Sequence, residues 1–289
     1  MILSDKNKVR KFENTEYFGY LFYISYDGKK FESFDENPNM KSVKSYFREL
    51  LNENKINFYK GIQQAGRTDK GVSALSNILY INSKQNIELN SFKNCGNENF
   101  KILAIEKTMP FLEFPSLIES RHYIYKYPLE KILNNRDKII EKCKLISGNK
   151  NFKKYTSKKG EKLQNHIRSI NIIYNEEGEL HFIGDSFLPQ QVRIMSGYLL
   201  TNKLEPLAGE YLTLHCVKKS EELNKMIFKE NNLIKIDKVE KIDQNEDYLI
   251  FYVKKQNKSE IIGKNGKNIK KIRKEYGNVI IKVIWWKIY

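Results

Sequence analysis

The sequence predicts an α+β fold, an antiparallel or mixed sheet with flanking helices, and three observations lead there. Runs of aromatic and β-branched residues with a two-residue alternation recur along the chain. Between them lie segments whose apolar residues return at helical spacing. A polar break of hairpin length, Asn175-Glu176-Glu177-Gly178, separates two of the strand candidates.

In chain order, residues 17–27 (YFGYLFYISYD) read as a strand that ends at Asp27-Gly28. Met40, Val43, Phe47, Leu50 and Leu51 then share one face of a helix. Strands are expected over 77–83, 101–107 and 121–127, the last setting Tyr123, Tyr125 and Tyr127 on one side. A helical pattern covers 137–147, strands 167–174 and 179–184 flank the hairpin break, and a helix over 188–200 lines up Val192, Met195 and Leu199. Beyond about residue 218 the elements shorten and gain charge: helix 220–229, strands 232–242 and 247–254, a basic helix and a last strand. The expected organisation is a basic N-terminal arm (1–16), a region 17–217 in two halves (17–127 and 128–217), and a small unit over 218–289.

With 289 residues, 40% of them hydrophobic and 12% aromatic, the chain can bury a substantial core. Its formal charge of +16 sets up a field that attracts polyanions, which makes nucleic acid the leading partner class. Charge alone does not decide this, because Lys- and Asn-rich composition also follows genome bias. No stretch reaches the roughly 20 apolar residues of a membrane span, and the polar start lacks a signal-peptide core. A soluble, cytoplasmic protein is expected, with no membrane partner. Cys95, Cys143 and Cys216 are widely separated, odd in number and without a C-x-x-C pair or clustered histidines, so small core residues are expected and neither a disulfide framework nor a metal site is indicated.

The chemistry concentrates in Gly66-Arg67-Thr68-Asp69-Lys70-Gly71-Val72-Ser73-Ala74. Two glycines bracket a turn in which a carboxylate stands between two cations. Nearby positive charge favours the ionised form, and an ionised carboxylate can act as nucleophile or base. On spacing alone a salt-bridged turn is the plainer reading.

The run GRTDKGVSA, with Ala65 before it, resembles the signature of the TruA family of tRNA pseudouridine synthases. Other blocks follow in the family's order: Tyr26-Asp27-Gly28 with Phe31, Arg121-His122-Tyr123-Ile124-Tyr125, Phe187-Leu188-Pro189 through Val192-Arg193 to Gly197, and Glu210-Tyr211-Leu212-Thr213-Leu214. The resemblance covers roughly residues 17–217. It implies the pseudouridine synthase fold and an isomerase that converts uridine to pseudouridine without metal, cofactor or energy source. In that role Asp69 is the catalytic carboxylate, attacking the nucleoside at the anomeric carbon in one mechanism and at uracil carbon 6 in the other. Tyr123 matches the tyrosine that stacks on the uracil, Arg193 the partner of the carboxylate, and Leu212 the apolar wall. Arg67 matches the RNA contact beside the extruded nucleotide, and Lys70 is expected at the RNA as well. The family implies uridines of the tRNA anticodon arm and a homodimer sharing one tRNA. Three departures stand out: Ser33-Phe34-Asp35 replaces a G-W/F-Q segment, Tyr211 replaces a glycine, and the interval from Gly197 to Leu212 is short.

Residues 261–272 carry Gly263-Lys264-Asn265-Gly266 ahead of a basic helix in which Ile269 and Ile272 face inward. Glycines let a backbone lie against a nucleic-acid strand, a helix start attracts phosphate, and Lys264, Lys267 and Lys270 add charge. The motif resembles the GXXG loop of KH domains, and the element order from residue 220 fits a small α+β KH-like domain. Trp285, Trp286 and Tyr289 read more readily as a strand closing that core than as stacking platforms. The alternative to an enzyme is a non-catalytic RNA-binding or RNA-folding protein built from a trimmed synthase domain and the KH-like unit. RNA, with tRNA as the expected class, is the partner in both readings.

Overall fold

The computed structural model describes residues 12–92, 96–157 and 165–284. Its strands are β1 (Phe18–Tyr26), β2 (Tyr59–Gln64), β3 (Ser73–Ser83), β4 (Gly96–Asn97), β5 (Phe100–Thr108), β6 (Ile118–Lys126), β7 (Gly148–Asn151), β8 (Ile167–Tyr174), β9 (Glu179–Gly184), β10 (Leu212–Lys219), β11 (Ile227–Glu230), β12 (Val239–Gln244), β13 (Leu249–Lys254) and β14 (Val279–Ile284). The helices are α1 (Val43–Glu53), α2 (Arg136–Ile146), α3 (Gln191–Thr201), α4 (Glu221–Lys225), α5 (Lys258–Ile262) and α6 (Lys267–Tyr276).

The α+β expectation holds. The strands form one mixed sheet in the order β14-β13-β12-β11-β5-β1-β3-β10-β6-β9-β8-β7, with β2 added to β3 and β4 to β5. Only β10 against β3 and β14 against β13 run parallel within it; the other pairs are antiparallel. Alternation along β1 divides its residues between two cores: Tyr20, Phe22, Ile24 and Tyr26 pack with α1, α2 and α3, while Leu21 packs on the opposite face with Ile78, Tyr80 and Phe114. Tyr123, Tyr125, Leu212 and Leu214 belong to the first of these faces.

Several boundaries moved for local reasons. Met40 is exposed rather than on the inner face of α1, because a Ser42–Ser45 capping box starts that helix at Val43. Helix α3 begins at Gln191, not 188, since Gln190 takes a left-handed backbone (φ 58°). The helix expected over 220–229 ends at Lys225; Ile227 and Phe228 instead pair with Thr108 and Lys107 at the edge of β5, where their apolar side chains are buried. The strand expected over 232–242 runs from Val239, after Lys238 breaks the extension at φ 64°. The 175–178 break forms its hairpin, with Glu179 N donating to Asn175 Oδ1 at 2.8 Å. Strands β2 and β7 carry too little alternation to have been read. Cys143 is buried as expected, but Cys216 is exposed; Cys95, Trp285, Trp286 and Tyr289 lie outside the described residues.

Strand β11 joins the C-terminal unit to the rest. It bonds β5 on one side and β12 on the other, so the two sheets continue into one. At that seam the half-buried Lys107 donates to the buried Asp243 Oδ2 at 3.1 Å and to Asn86 Oδ1 at 2.9 Å. The N-terminal residues close the other side: Lys282 donates to the carbonyls of Phe12 (2.6 Å) and Glu13 (3.2 Å), and Arg273 pairs with Glu13 at 2.7 Å. No helix among the described residues is long and apolar enough to cross a membrane.

Candidate active site

The 65–72 loop links β2 to β3, and buried side chains hold it in place. Asn77, fully buried on β3, accepts from Gly66 N at 3.3 Å and donates to Gly66 O at 2.8 Å. Thr68 bonds the buried Tyr26 hydroxyl at 2.9 Å. Val72 N donates to the Asp69 carbonyl at 3.1 Å, closing a turn whose Gly71 sits at φ 82°. Gly209 lies so close behind the turn that a Cβ there would meet Lys70 O at 2.4 Å, so the approach needs glycine. Asp69 is thus presented on a braced loop rather than a mobile one.

The cation beside Asp69 comes from the far side of the fold. Arg193, in the first turn of α3, places Nη1 3.3 Å from Asp69 Oδ2 and spends Nε on the Leu207 carbonyl at 2.6 Å. That second bond fixes the guanidinium plane, a constraint a lysine cannot reproduce. The Arg193 side chain is 16% exposed and that of Asp69 37%, so the pair stands at a cavity wall with the carboxylate facing outward.

The cavity holds about 210 Å³ and is walled by residues 65–69, Val72, Arg121, Tyr123, residues 186–193 and Leu212. Drug-sized pockets span roughly 300–1,000 Å³, so this one suits a single extruded nucleoside better than a larger ligand. Tyr123 is buried on β6 and meets Phe187 edge to face at 5.2 Å and 86°. Burial, with smaller contributions from Tyr26 and Asp69, pushes the Tyr123 hydroxyl above the usual tyrosine range, so it stays protonated at physiological pH. Leu212 closes an apolar side as the first residue of β10.

Asp69, Arg67, Tyr123, Arg193 and Leu212 therefore meet at one cavity, although they come from four separate parts of the chain. Lys70 does not join them: its side chain is exposed and it is not part of the cavity wall. The local reading of Asp69 between Arg67 and Lys70 gives way to the pairing with Arg193 that the resemblance implied. Arg67 pairs with Asp35 at 3.4 Å on the rim, and the cation on Asp69 is Arg193. Asp35 also pairs with Lys44 at 2.9 Å; its burial opposes ionisation, yet the two cations outweigh that and lower its pKa.

Two wall residues went unassigned from the sequence. Arg121 donates through Nε to the Ala65 carbonyl at 2.8 Å and through Nη1 to the Asp185 carbonyl, tying the Asp69 loop to the 185–190 segment. Gln191 uses Oε1 to accept from Leu188 N at 2.7 Å, while its buried Nε2 has no partner among the described residues. Arg121 lay within a recognised block, but nothing in spacing shows that its partners are backbone carbonyls.

In the C-terminal unit, Gly263-Lys264-Asn265-Gly266 forms the tight connection between α5 and α6. Gly263 (φ 73°), Asn265 (φ 55°) and Gly266 (φ 72°) take left-handed backbones there. Lys264, Asn265, Lys267 and Lys270 are exposed around it, while Ile261 and Ile269 pack inward with β12, β13 and β14.

Comparison with known proteins decides the identity of this arrangement. The chain is 31% identical over 205 residues to tRNA pseudouridine synthase A of Picrophilus torridus, covering 66% of this chain and 74% of that protein. The chain belongs to the tRNA pseudouridine synthase A family. The Methanocaldococcus jannaschii member is 30% identical over 185 residues (62% of this chain, 69% of that one), and the Pyrococcus abyssi member 32% over 154 residues (53% and 56%). The KH domain family matches residues 220–289. The chain is a pseudouridine synthase of this family that also carries a C-terminal KH domain.

Proposed function

We propose that the protein isomerises uridine to pseudouridine in tRNA, in the anticodon arm, with Asp69 as the catalytic carboxylate. One observation carries this reading: an outward-facing carboxylate and a guanidinium locked by a backbone carbonyl meet across 3.3 Å in a nucleoside-sized cavity. The base leaves its stack and enters beside Tyr123, whose ring face and apolar neighbours Leu212 and Phe187 replace the lost stacking. Asp69 then attacks the nucleoside, at the anomeric carbon or at uracil carbon 6; the C–N bond breaks, the base turns, carbon 5 bonds the sugar as the bond to Asp69 breaks, and the proton that carbon 5 loses is balanced by one gained at nitrogen 1. Arg193 keeps the carboxylate oriented and charged through the sequence of steps. Arg67, exposed at the rim, contacts the flanking RNA once Asp35 releases it. The KH loop, with Lys264, Asn265, Lys267 and Lys270, grips a second stretch of RNA and raises its effective concentration at the cavity.

The test uses full-length protein and unmodified tRNA, with pseudouridine mapped by chemical adduct formation. Asp69→Asn should bind tRNA as the parent does and form no product. Normal turnover by that variant refutes the assignment.

A further inference from the structure

His122 and His181 project from β6 and β9 on the sheet face opposite Tyr123 and Phe182. Strand β10 completes a cluster with them because its ladder is irregular. Leu214 pairs with Tyr123 and Cys216 with His122, so His215 is an extra residue with no opposite number. In a regular strand, neighbours point to opposite faces. A bulge of this kind sets two residues against one and re-aims their side chains. Here the result is that His215 and Cys216, adjacent in sequence, both come to His122.

The donor atoms of His122, His215 and Cys216 lie within 4.8 Å of one another. The His122 and His215 rings stand 5.1 Å apart. Behind them His181 Nδ1 is 2.9 Å from His122 Nε2, and the outer nitrogen of His181 meets Asn175 Nδ2 at 3.0 Å with Glu179 at 3.7 Å. Three of the chain's four histidines are thus gathered with a thiol at one spot, away from the cavity that holds Asp69.

We propose that His122, His215 and Cys216 bind a borderline-soft divalent transition ion of the zinc class, with His181, itself held by Asn175, as the supporting group that orients the His122 ring. Imidazole and thiolate donors select such ions over magnesium or calcium. With metal–ligand bonds of about 2.0–2.3 Å, tetrahedral donors stand roughly 3.3–3.8 Å apart. The cluster therefore needs a contraction of about an ångström, and His215 and Cys216, both exposed, are free to supply it by rotamer change. A second hydrogen bond behind a ligating histidine fixes its tautomer and ring orientation, and the His181–His122 contact supplies one here. The ion clamps β6 to β10, the two strands whose other faces bear Tyr123 and Leu212; it takes no part in the isomerisation.

The probe is Co²⁺ added to metal-free full-length protein. We expect one equivalent to bind, with visible d–d bands and a thiolate-to-cobalt charge-transfer band, and Zn²⁺ to displace it. Cys216→Ser should remove the charge-transfer band and weaken binding at least 10-fold. His122→Ala should abolish stoichiometric binding. Zn²⁺ should raise the melting temperature of the parent and not of Cys216→Ser, whose metal-free melting and pseudouridine formation match the parent's. If His122→Ala does not fold, the exposed Cys216→Ser decides. Absence of stoichiometric binding, or a charge-transfer band unchanged in Cys216→Ser, overturns the proposal.

Discussion

Replacing Arg193 with methionine tests the catalytic geometry more sharply than deleting the carboxylate itself. At 3.3 Å and an effective dielectric of about 20, the bare attraction between Arg193 and Asp69 is about 5 kcal/mol. More than a third of the Asp69 side chain meets solvent, and screening brings the expected loss to about 1–3 kcal/mol. At about 1.4 kcal/mol per decade, Arg193→Met should lower kcat/KM roughly 5- to 150-fold, chiefly through kcat. Arg193→Lys restores a charge but cannot serve both Asp69 and the Leu207 carbonyl with a fixed plane, so it should recover only part of the loss. Single-turnover pseudouridine formation on unmodified tRNA, with filter-binding affinity in parallel, reads both quantities. An Arg193→Met enzyme within twofold of the parent, or one whose loss lies wholly in RNA affinity, would refute the orienting role.

Three further outcomes follow from the same structure. Asn77→Ala leaves the Gly66 amide and carbonyl without their partner, at about 1–3 kcal/mol per orphaned group; calorimetry should show a lower melting temperature, and kcat should fall more than KM rises. Lys107→Met removes the nearer cation from the buried Asp243 carboxylate, which keeps the Tyr252 hydroxyl at 2.9 Å and Lys241 at 3.6 Å, and should cost about 1–3 kcal/mol in denaturant unfolding, whereas the double change with Asp243→Leu should recover most of it. Lys264→Ala with Lys267→Ala should flatten the slope of log affinity against log salt by about 1.4 to 1.8, the value for two lost phosphate contacts; an unchanged slope would remove the KH loop from the RNA interface.

Much of the fold was legible because its elements advertise themselves locally. The alternation of residues 17–27 is steric and hydrophobic patterning within one strand, and the turn residues around Asn175 act over three or four positions. The elements that escaped depend on distant partners. Ile227 and Phe228 continue a helical pattern on paper; only the open edge of β5 makes them a strand. Met40 falls outside α1 for a local reason instead: it keeps the helical spacing, but the Ser42–Ser45 capping box starts the helix at Val43. At the site, Asp69 was legible from its glycine-bracketed loop. The cation beside it, Arg193, was legible only through the family resemblance, since the charges adjacent to Asp69 in the chain, Arg67 and Lys70, turn elsewhere.

The sequence alone determined the α+β class, the loop that carries Asp69, the basic GKNG turn and the blocks that place the chain in its family. These are properties of contiguous residues, encoded in spacing, backbone freedom and charge. Only the tertiary structure decided that Arg193 stands 3.3 Å from Asp69 with its plane held by the Leu207 carbonyl, that β11 merges two sheets into one, and that an unpaired residue in β10 brings His215 and Cys216 to His122. Each depends on cooperative packing of segments far apart in the chain, which no local window contains.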